Sequence, residues 1–408
     1  MIWVIIGQLT TVMTMIMLLA VNSRALGDEG VGHISLALTI VLLINQLVFN
    51  GVNATANRYF HTYDNPDLIR FISHIASLFL LKVKLMLVPI TVLIFIAEYT
   101  IGLGWSLIAV SLVYGFLQGV FAVLNSICNA SGQRKVYGIS VLTEGLLRII
   151  FSWVAVNIFN GGASSVLFCF VISSCIGIAV NIYQNKIIEL KNIYIAERAE
   201  FIEHYKYSLP YSKWGGLNWA YLSADRWLIG YFFAKGVVGE YSYLYQLGYS
   251  PFGIFMAATM VYLTPLIYKD AKNNSEQNNS LADKKVFGIT ILAFISIVLS
   301  IPVVLYLQED LLTFILGKNL PSFKYLYLFV VAGGLQALIH PISLLLNNRF
   351  LTDKLTLPKI ITSILGVIGY YVVLSAGFEI QSLMMVNISV SVILIIWITL
   401  LYFRYKNV

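Results

Sequence analysis

Residues 208–233 read SLPYSKWGGLNWAYLSADRWLIGYFF, and this stretch decides how the rest of the chain is interpreted. About 20 residues of α-helix cross ~30 Å of hydrocarbon, so the stretch is long enough for one membrane span. It nevertheless contains Lys213, Asp225 and Arg226. Each ionisable group costs at least ~2.5 kcal/mol at mid-bilayer, so such groups face a bundle interior or an aqueous cavity. The stretch therefore predicts a helix that lines a path through a membrane.

The composition of the whole chain supports a membrane protein. Of its 408 residues, 59% are hydrophobic and 11% are charged, and the mean hydropathy is +0.83. Because soluble domains have about 25% charged residues, we predict an all-α polytopic membrane protein. The net charge of +7 comes mainly from short loops between apolar runs and indicates no nucleic-acid partner.

The apolar runs are continuous and show no alternation of period two, so helices are favoured over barrel strands. The first run lacks a basic region before it and a small-residue cleavage pattern after it, so a retained span is expected instead of a signal peptide. Twelve transmembrane helices are predicted, at residues 2–21, 33–52, 74–97, 104–128, 137–158, 163–184, 208–232, 237–268, 286–307, 322–346, 356–376 and 380–403.

Basic residues in the loops predict the orientation of the chain. With the N-terminus inside, seventeen lysines and arginines fall in the inside loops and the C-terminal tail, whereas only Arg24, Lys235 and Lys318 fall outside. Because inside loops carry the excess of basic residues, both termini are expected to be cytoplasmic.

A short internal repeat predicts that the chain is duplicated. The segment Gly30–Ser35 follows the first predicted span, and the similar segment Val237–Ser242 follows the seventh, 207 residues later. We therefore expect two six-helix bundles of one orientation around a central cavity, as in transporters with parallel repeats. The expected domains are residues 1–184, a cytoplasmic linker at 185–207, and residues 208–408.

Two pairs of acidic and basic residues lie within predicted spans. Glu144 and Arg148 are four residues apart and share one helical face. They form either a pair that only lowers the cost of burial, or a cavity wall where Arg148 binds an anion and Glu144 takes up a proton. Asp225 and Arg226 are adjacent, so their side chains are expected to diverge by about 100° and each to need another partner.

A basic interior favours an anionic substrate over a cationic one. Lys82 and Lys84 point to nearly opposite sides of one helix, so at most one of them faces a lumen. Glu144 and Asp225 are candidates for ion or proton coupling, or for charge partners of the cations. The candidate ligands of the anionic substrate are Arg148, Lys213, Arg226, Lys82 and Asn218.

Three tyrosines at four-residue spacing, Tyr241, Tyr245 and Tyr249, suit either of two roles. Aromatic faces stack on sugar rings, and tyrosines also form the belt at a membrane boundary. No hydrolase, kinase, phosphate-loop or metal motif occurs, and the five histidines form no pair at i, i+4. Cys128, Cys169 and Cys175 lack metal-ligand spacing. A non-enzyme without metal, cofactor or nucleotide is therefore expected.

Three features of the chain together carry a family resemblance. They are the spans in two halves, the basic residues within spans, and the stretches Leu26–Gly32, Phe49–Val52 with Arg58-Tyr59 and Asp64–Pro66, and Asp225-Arg226 with Val238–Tyr241. These features resemble the Wzx-type polysaccharide flippases, which belong to the same superfamily as the MATE exporters. The resemblance covers essentially the whole chain.

The resemblance implies a flippase that moves undecaprenyl-pyrophosphate-linked oligosaccharides from the cytoplasmic to the periplasmic leaflet by alternating access. It also implies a place in the bacterial inner membrane, a role in O-antigen and lipopolysaccharide biosynthesis, and contact with polymerase machinery. The alternative is a MATE-like antiporter in which Na⁺ or H⁺ drives export of small cations. A glycan polymerase is disfavoured, because no predicted outside loop is large.

Overall fold

The computed structural model describes residues 2–60, 68–185, 198–257, 259–260, 276–347, 349 and 351–405. Within these residues all regular structure is helical, which confirms the all-α prediction. Eight helices there are long and apolar enough to cross a membrane, or nine if a bent pair counts as one span. The count of twelve spans stays a prediction.

The helices are numbered in chain order. A π-helical segment follows α1 at Asn45–Phe49, a second follows α8 at Tyr245–Tyr249, and a 3₁₀ turn at Pro321–Tyr325 precedes α10. The α-helices are α1 Ile2–Ile44, α2 Asn50–Tyr59, α3 Leu68–Ile101, α4 Trp105–Ala130, α5 Arg134–Asn157, α6 Ala163–Gln184, α7 Arg198–Phe232, α8 Lys235–Leu244, α9 Glu276–Leu316, α10 Leu326–Asn347, α11 Thr352–Ser375 and α12 Ser382–Tyr405.

The chain forms two compact units, Met1–Gly239 and Glu240–Val408. The first unit includes α7, which the sequence repeat assigns to the second half. Most of the predicted linker, residues 186–197, lies outside the described residues, as do Asp64–Pro66 and the predicted span beyond residue 260. The division into repeats stays a prediction, because it concerns duplication and not packing.

Small residues allow the helices of the first unit to pack closely. Gly115 and Gly119 are one turn apart on α4, and a Cβ at either position would overlap Ile44 or the ring of Phe49. Membrane helices associate through such small-residue contacts, since lipid provides no hydrophobic drive between them. The same face of α4 therefore packs on the junction of α1 and its π segment.

α1 contains a break at Gly27, where φ is 67° and ψ is −170°. A positive φ suits glycine, because glycine has no Cβ to clash with the carbonyl. The apolar stretch Ile6–Ala56 runs through this break and has 51 residues, about twice the length that one span requires. α1 thus combines the first predicted span with the start of the second.

The two π segments have the same environment in their respective units. A Cβ on Gly215 of α7 would overlap the Gln46 carbonyl oxygen, and a Cβ on Gly333 of α10 would overlap the Tyr249 carbonyl oxygen. π turns interrupt the regular hydrogen-bond ladder of a helix. Each π segment therefore has a carbonyl that packs directly on a glycine of another helix.

A buried ion pair links three helical segments of the second unit. Arg349 donates to both oxygens of Asp283, at 2.8 and 2.7 Å, and the Tyr402 hydroxyl donates to the Asp283 Oδ2 at 2.8 Å. Hydrogen bonding to Asp283 raises the pKa of the Arg349 guanidinium above its ordinary value, so the cation is retained. The network joins the start of α9, the α10–α11 connection and the end of α12.

Candidate functional site

The predicted pair on α5 is formed. Arg148 and Glu144 make an ion pair one turn apart, as their spacing indicates. The Ser174 hydroxyl donates to the Glu144 Oε1 at 3.2 Å, and Glu144 is only 5% exposed. The Arg148 guanidinium lies over the rings of Tyr114, at 5.5 Å, and Phe170, at 5.0 Å. The pair is therefore enclosed by side chains from α4 and α6.

The interior between α4, α5 and α6 continues as a polar cluster. Asn181 donates to the Asn125 amide oxygen at 3.0 Å and to the Ser140 hydroxyl at 3.3 Å, and Ser140 donates to Asn125 at 3.1 Å. Buried polar groups in a membrane need such partners, because lipid supplies none. We call Gln118, Asn125, Ser140, Glu144, Ser174 and Asn181 the interior polar cluster. Gln118 belongs to it because its Oε1 lies 3.4 Å from the Ser174 Oγ.

Gly177 brings α6 against the polar cluster. A Cβ at this position would lie 2.9 Å from the Cβ of Glu144 and 3.2 Å from the ring of Phe121. Both distances are shorter than side-chain carbons ordinarily adopt, so only glycine fits without displacing α6. The burial of Glu144 therefore depends on the absence of a side chain at residue 177.

The predicted pair on α7 has a different arrangement. The Arg226 Nε lies 3.4 Å from the Asp225 Oδ1, and the Arg226 Nη2 donates to the Leu222 carbonyl at 2.8 Å. The prediction that the two side chains diverge is wrong. Arg226 folds back along α7 to the Leu222 carbonyl, and its Nε contacts the Asp225 carboxylate on the way. The expectation that Asp225 holds an arginine in place agrees with this contact. Asn218 is half-buried on α7, one turn before Leu222.

Two tryptophans attach α7 to α1. The Trp219 Nε1 donates to the Thr39 carbonyl at 2.7 Å, and the Trp227 Nε1 donates to the Thr39 hydroxyl at 2.6 Å. The two indole rings are 6.1 Å apart and nearly perpendicular. The two tryptophans are two turns apart on α7, and both of their indole N–H groups donate to the same residue of α1.

Lys82 attaches α7 to α3 and is buried, with 1% exposure. Its ammonium donates to the Ser208 carbonyl at 3.1 Å and to the Ser212 hydroxyl. Pro210 lies between these two residues and lacks the N–H that would continue the helical ladder. The contact supports α7 where its own hydrogen bonding is weakest. A role for Lys82 in binding substrate stays a prediction.

Other predicted site residues lie apart from these pairs. Lys213 is in α7, and its side chain is outside the described part. Tyr245 stacks between Tyr241 and Tyr249, with ring centroids at 6.1 and 4.5 Å. Tyr241 is fully buried and packs edge-on against Phe329, which indicates a packing role for that tyrosine. Use of the stack to bind sugars stays a prediction.

The structure also brings together two histidines that are distant in sequence. The rings of His74 on α3 and His204 on α7 are 5.3 Å apart, and Tyr59 lies 4.5 Å from His204. Both histidines are buried. Among the described residues no group of three or more histidine, cysteine, aspartate or glutamate side chains is arranged to hold a metal ion.

The helices that carry the two acid–arginine pairs share α1 as a neighbour and otherwise pack against different helices. α5 packs against α1, α4 and α6, whereas α7 packs against α1, α2, α3 and the first π segment. Convergence of Arg148, Lys213 and Arg226 on one cavity therefore stays a prediction.

The polar cluster could have been found in the sequence. Gln118 and Asn125 are seven residues apart, as are Ser174 and Asn181, and Ser140 precedes Glu144 by four. Each of these spacings places side chains on one helical face. The uncharged members of the cluster are absent from the candidates predicted from the sequence, because Glu144 is the only one of the six that carries a charge.

Solved structures of low identity share the fold of the chain. An inward-facing multidrug resistance MATE family transporter of the MOP superfamily matches with a TM-score of 0.70 and 11% identity, over 98% of this chain and 96% of that one. Lipid II flippase MurJ in an inward closed conformation matches with a TM-score of 0.71 and 15% identity, over 100% and 88%. A MOP superfamily transporter from Pyrococcus furiosus, described with a binding pocket of reverse polarity, matches with a TM-score of 0.62 and 13% identity, over 98% and 96%.

Sequence comparison assigns the greater part of the chain to one family. The profile of the family described as "Polysaccharide biosynthesis protein" matches residues 1–269. This range includes the whole first unit, with both acid–arginine pairs. No curated protein sequence matches the chain.

Proposed function

Because the chain belongs to the polysaccharide biosynthesis protein family, we propose that it flips undecaprenyl-pyrophosphate-linked oligosaccharide repeat units from the cytoplasmic to the periplasmic leaflet. The family description and the fold shared with Lipid II flippase MurJ support a multi-pass membrane transporter of the flippase type, and no enzymatic activity is proposed. The direction, the lipid carrier and alternating access are parts of the proposal.

The observation that carries the proposal is the enclosure of two arginines within membrane helices. The Arg148 side chain is 15% exposed and that of Arg226 is 11% exposed. A buried cation is costly in a membrane, and a residue of this kind marks a substrate or ion path by default. Each arginine lies beside a carboxylate, which holds the guanidinium in place.

The chemistry of the substrate matches these groups. A pyrophosphate carries several acceptor oxygens, and arginine binds phosphate oxygens through paired N–H donors. Asn218 and the proposed ligand Lys213 share α7 with Arg226, so all three belong to one helix that lines the proposed path. The apolar prenyl chain needs no polar site and can remain in lipid.

The biological setting is part of the same proposal. We expect O-antigen or a related lipopolysaccharide unit as cargo, a bacterial inner membrane as location, and a polysaccharide polymerase as a partner. Both termini are proposed to be cytoplasmic. No cofactor is proposed. A coupling ion, H⁺ or Na⁺, would act at Glu144 or Asp225, the acids that lie beside the two arginines.

The test is export of glycan by cells whose only copy of the protein is a variant. Arg226→Ala should lower surface polysaccharide about ten-fold, because one or two charge-assisted hydrogen bonds to phosphate are lost. Arg148→Ala should lower export as well. Polysaccharide is measured by gel and immunoblot and is normalised to the amount of inserted protein.

The matched control is Arg404→Ala, since Arg404 is exposed at the end of α12. This variant should export like the parent. If Arg148→Ala and Arg226→Ala also export like the parent, the assignment of the cationic site is wrong.

A MATE-like antiporter of small cations is the less favoured alternative. The fold is shared with MATE transporters, but each acid that would bind a cation, Glu144 or Asp225, contacts an arginine. Drug efflux that requires both acids and tolerates Arg226→Ala would support the antiporter.

A further inference from the structure

The two turns of the predicted internal repeat are in contact. Gly32 of α1 and Gly239 of α8 are 207 residues apart, as are Asp28 and Lys235. A Cβ on Gly32 would overlap the Lys235 carbonyl oxygen, and a Cβ on Gly239 would overlap the Asp28 carbonyl oxygen. Each glycine therefore meets the carbonyl four residues before its counterpart, which is the pattern of a local two-fold axis. We call this contact the glycine crossing.

The glycine crossing is closed by backbone and by small apolar groups. Both glycines are buried, and Val31 and Val238 beside them are 3% and 0% exposed. Glycine has no side chain that would have to disengage at residues 32 and 239 when the two helices separate. A contact of this kind is tight when closed and reversible when the helices move apart.

The glycine crossing lies at the end of the first unit that contains the break in α1 and the turn from α7 to α8. Gly27 breaks α1 five residues before Gly32, and α7 ends at Phe232, just before α8 begins. The Lys235 ammonium donates to the Gly102 carbonyl at 2.7 Å, beyond the end of α3. Three helix ends therefore meet here, one of them through a single exposed hydrogen bond.

We propose that the glycine crossing is the gate that closes the transport path at this end of the first unit. The inference rests on the proposed flippase function, in which a path must close at one face while it is open at the other. A Cβ at residue 32 or 239 would overlap a backbone oxygen, so closure requires glycine at both positions. In the proposed orientation this end is the periplasmic one.

The experiment measures opening at the crossing directly. Cys128, Cys169 and Cys175 are replaced by alanine, and Val238→Cys provides a buried reporter. The rate at which a polar maleimide labels the reporter is measured in nanodiscs, where both faces are accessible. Gly32→Ala should raise the rate about ten-fold, because the added methyl prevents the helices from closing.

The matched control is Gly236→Ala, on the same turn of α8. A Cβ at Gly236 would lie 3.8 Å from the Cβ of Asp28, an ordinary contact. This variant should label and export glycan like its parent. Gly32→Ala and Gly239→Ala, made without the reporter, should lower glycan export about ten-fold while the protein remains folded and inserted.

Three results would overturn the gate. They are an unchanged labelling rate in Gly32→Ala, normal export despite faster labelling, and loss of folded protein with an unchanged rate in the folded fraction. The labelling assay contains no lipid-linked glycan. If the parent exports no glycan but labelling still responds to Gly32→Ala, the proposed substrate is wrong and the gate remains.

Discussion

The two acid–arginine pairs of the first unit have the same chemistry and different surroundings. The pair on α5, Glu144 with Arg148, lies among polar and aromatic side chains of three helices. The pair on α7, Asp225 with Arg226, includes contacts within α7 itself, where Arg226 donates to the Leu222 carbonyl. The first pair is part of the packing between helices, whereas the second includes a bond from Arg226 to its own helix.

This difference separates stability from ligand binding. A charge enclosed by three helices cannot leave its partner without disturbing them. An arginine attached to its own helix can exchange a carboxylate for a phosphate by a change of rotamer. We therefore expect the pair on α5 to contribute more to the stability of the unit and the pair on α7 to contribute more to the affinity for substrate.

The largest expected effect is that of Glu144→Leu. It leaves the Arg148 cation buried without its carboxylate and should lower the free energy of unfolding by about 3–5 kcal/mol. The measurement is denaturant unfolding in detergent. Adding Arg148→Met should recover part of the loss, because the unpaired charge is then removed. A Glu144→Leu protein as stable as the parent would remove the basis of the comparison.

Gly177→Ala should have the next largest effect. Its methyl would press on Glu144 and Phe121, and overpacking of this kind costs about 1–3 kcal/mol. The loss is measured as a lower unfolding midpoint. Gly162→Ala is the control, since nothing lies within 4 Å of a Cβ there. Equal midpoints for the two variants would show that α6 is free to move away from the cluster.

Asp225→Leu is the counterpart of Glu144→Leu on α7. Arg226 keeps its hydrogen bond to the Leu222 carbonyl, so the free energy of unfolding should fall by only about 1–2 kcal/mol. Glycan export should fall further than the loss of folded protein explains. A destabilisation as large as that of Glu144→Leu would show that the two pairs are equivalent.

Thr39→Val should have the smallest effect. Valine has nearly the shape of threonine but leaves the Trp227 indole N–H without its acceptor, at a cost of about 0.5–1.5 kcal/mol. Trp219 keeps its bond to the residue 39 carbonyl. Tryptophan fluorescence should report a changed environment for one indole. An unchanged spectrum and midpoint would mean that α7 does not depend on this attachment.

The sequence predicted the helical membrane fold and the Glu144–Arg148 pair, because helical spacing alone determines both. It also located the turns that pack as the glycine crossing, without predicting their contact. That contact depends on how α1 and α8 meet, and a pattern within one helix contains no such information.

Other features depend on the freedom of single side chains. The divergence expected for Asp225 and Arg226 follows from Cβ directions, but a long arginine can fold back to its own helix. Lys82 was expected to be a candidate for a lumen, yet its ammonium is enclosed by residues of α7. The hydrogen-bond partners of a flexible lysine or arginine are the carbonyls and hydroxyls that tertiary packing places near it.

The π segments at Asn45–Phe49 and Tyr245–Tyr249 have a consequence for length variation. A π turn absorbs one extra residue, while the helix before and after it keeps its faces. Deleting one residue inside either segment would restore plain α-helix and leave the flanking contacts, such as that of Ile44 with Gly115, on the same side. Each unit thus contains one place where a membrane helix can lose a residue without rotating the rest of its surface.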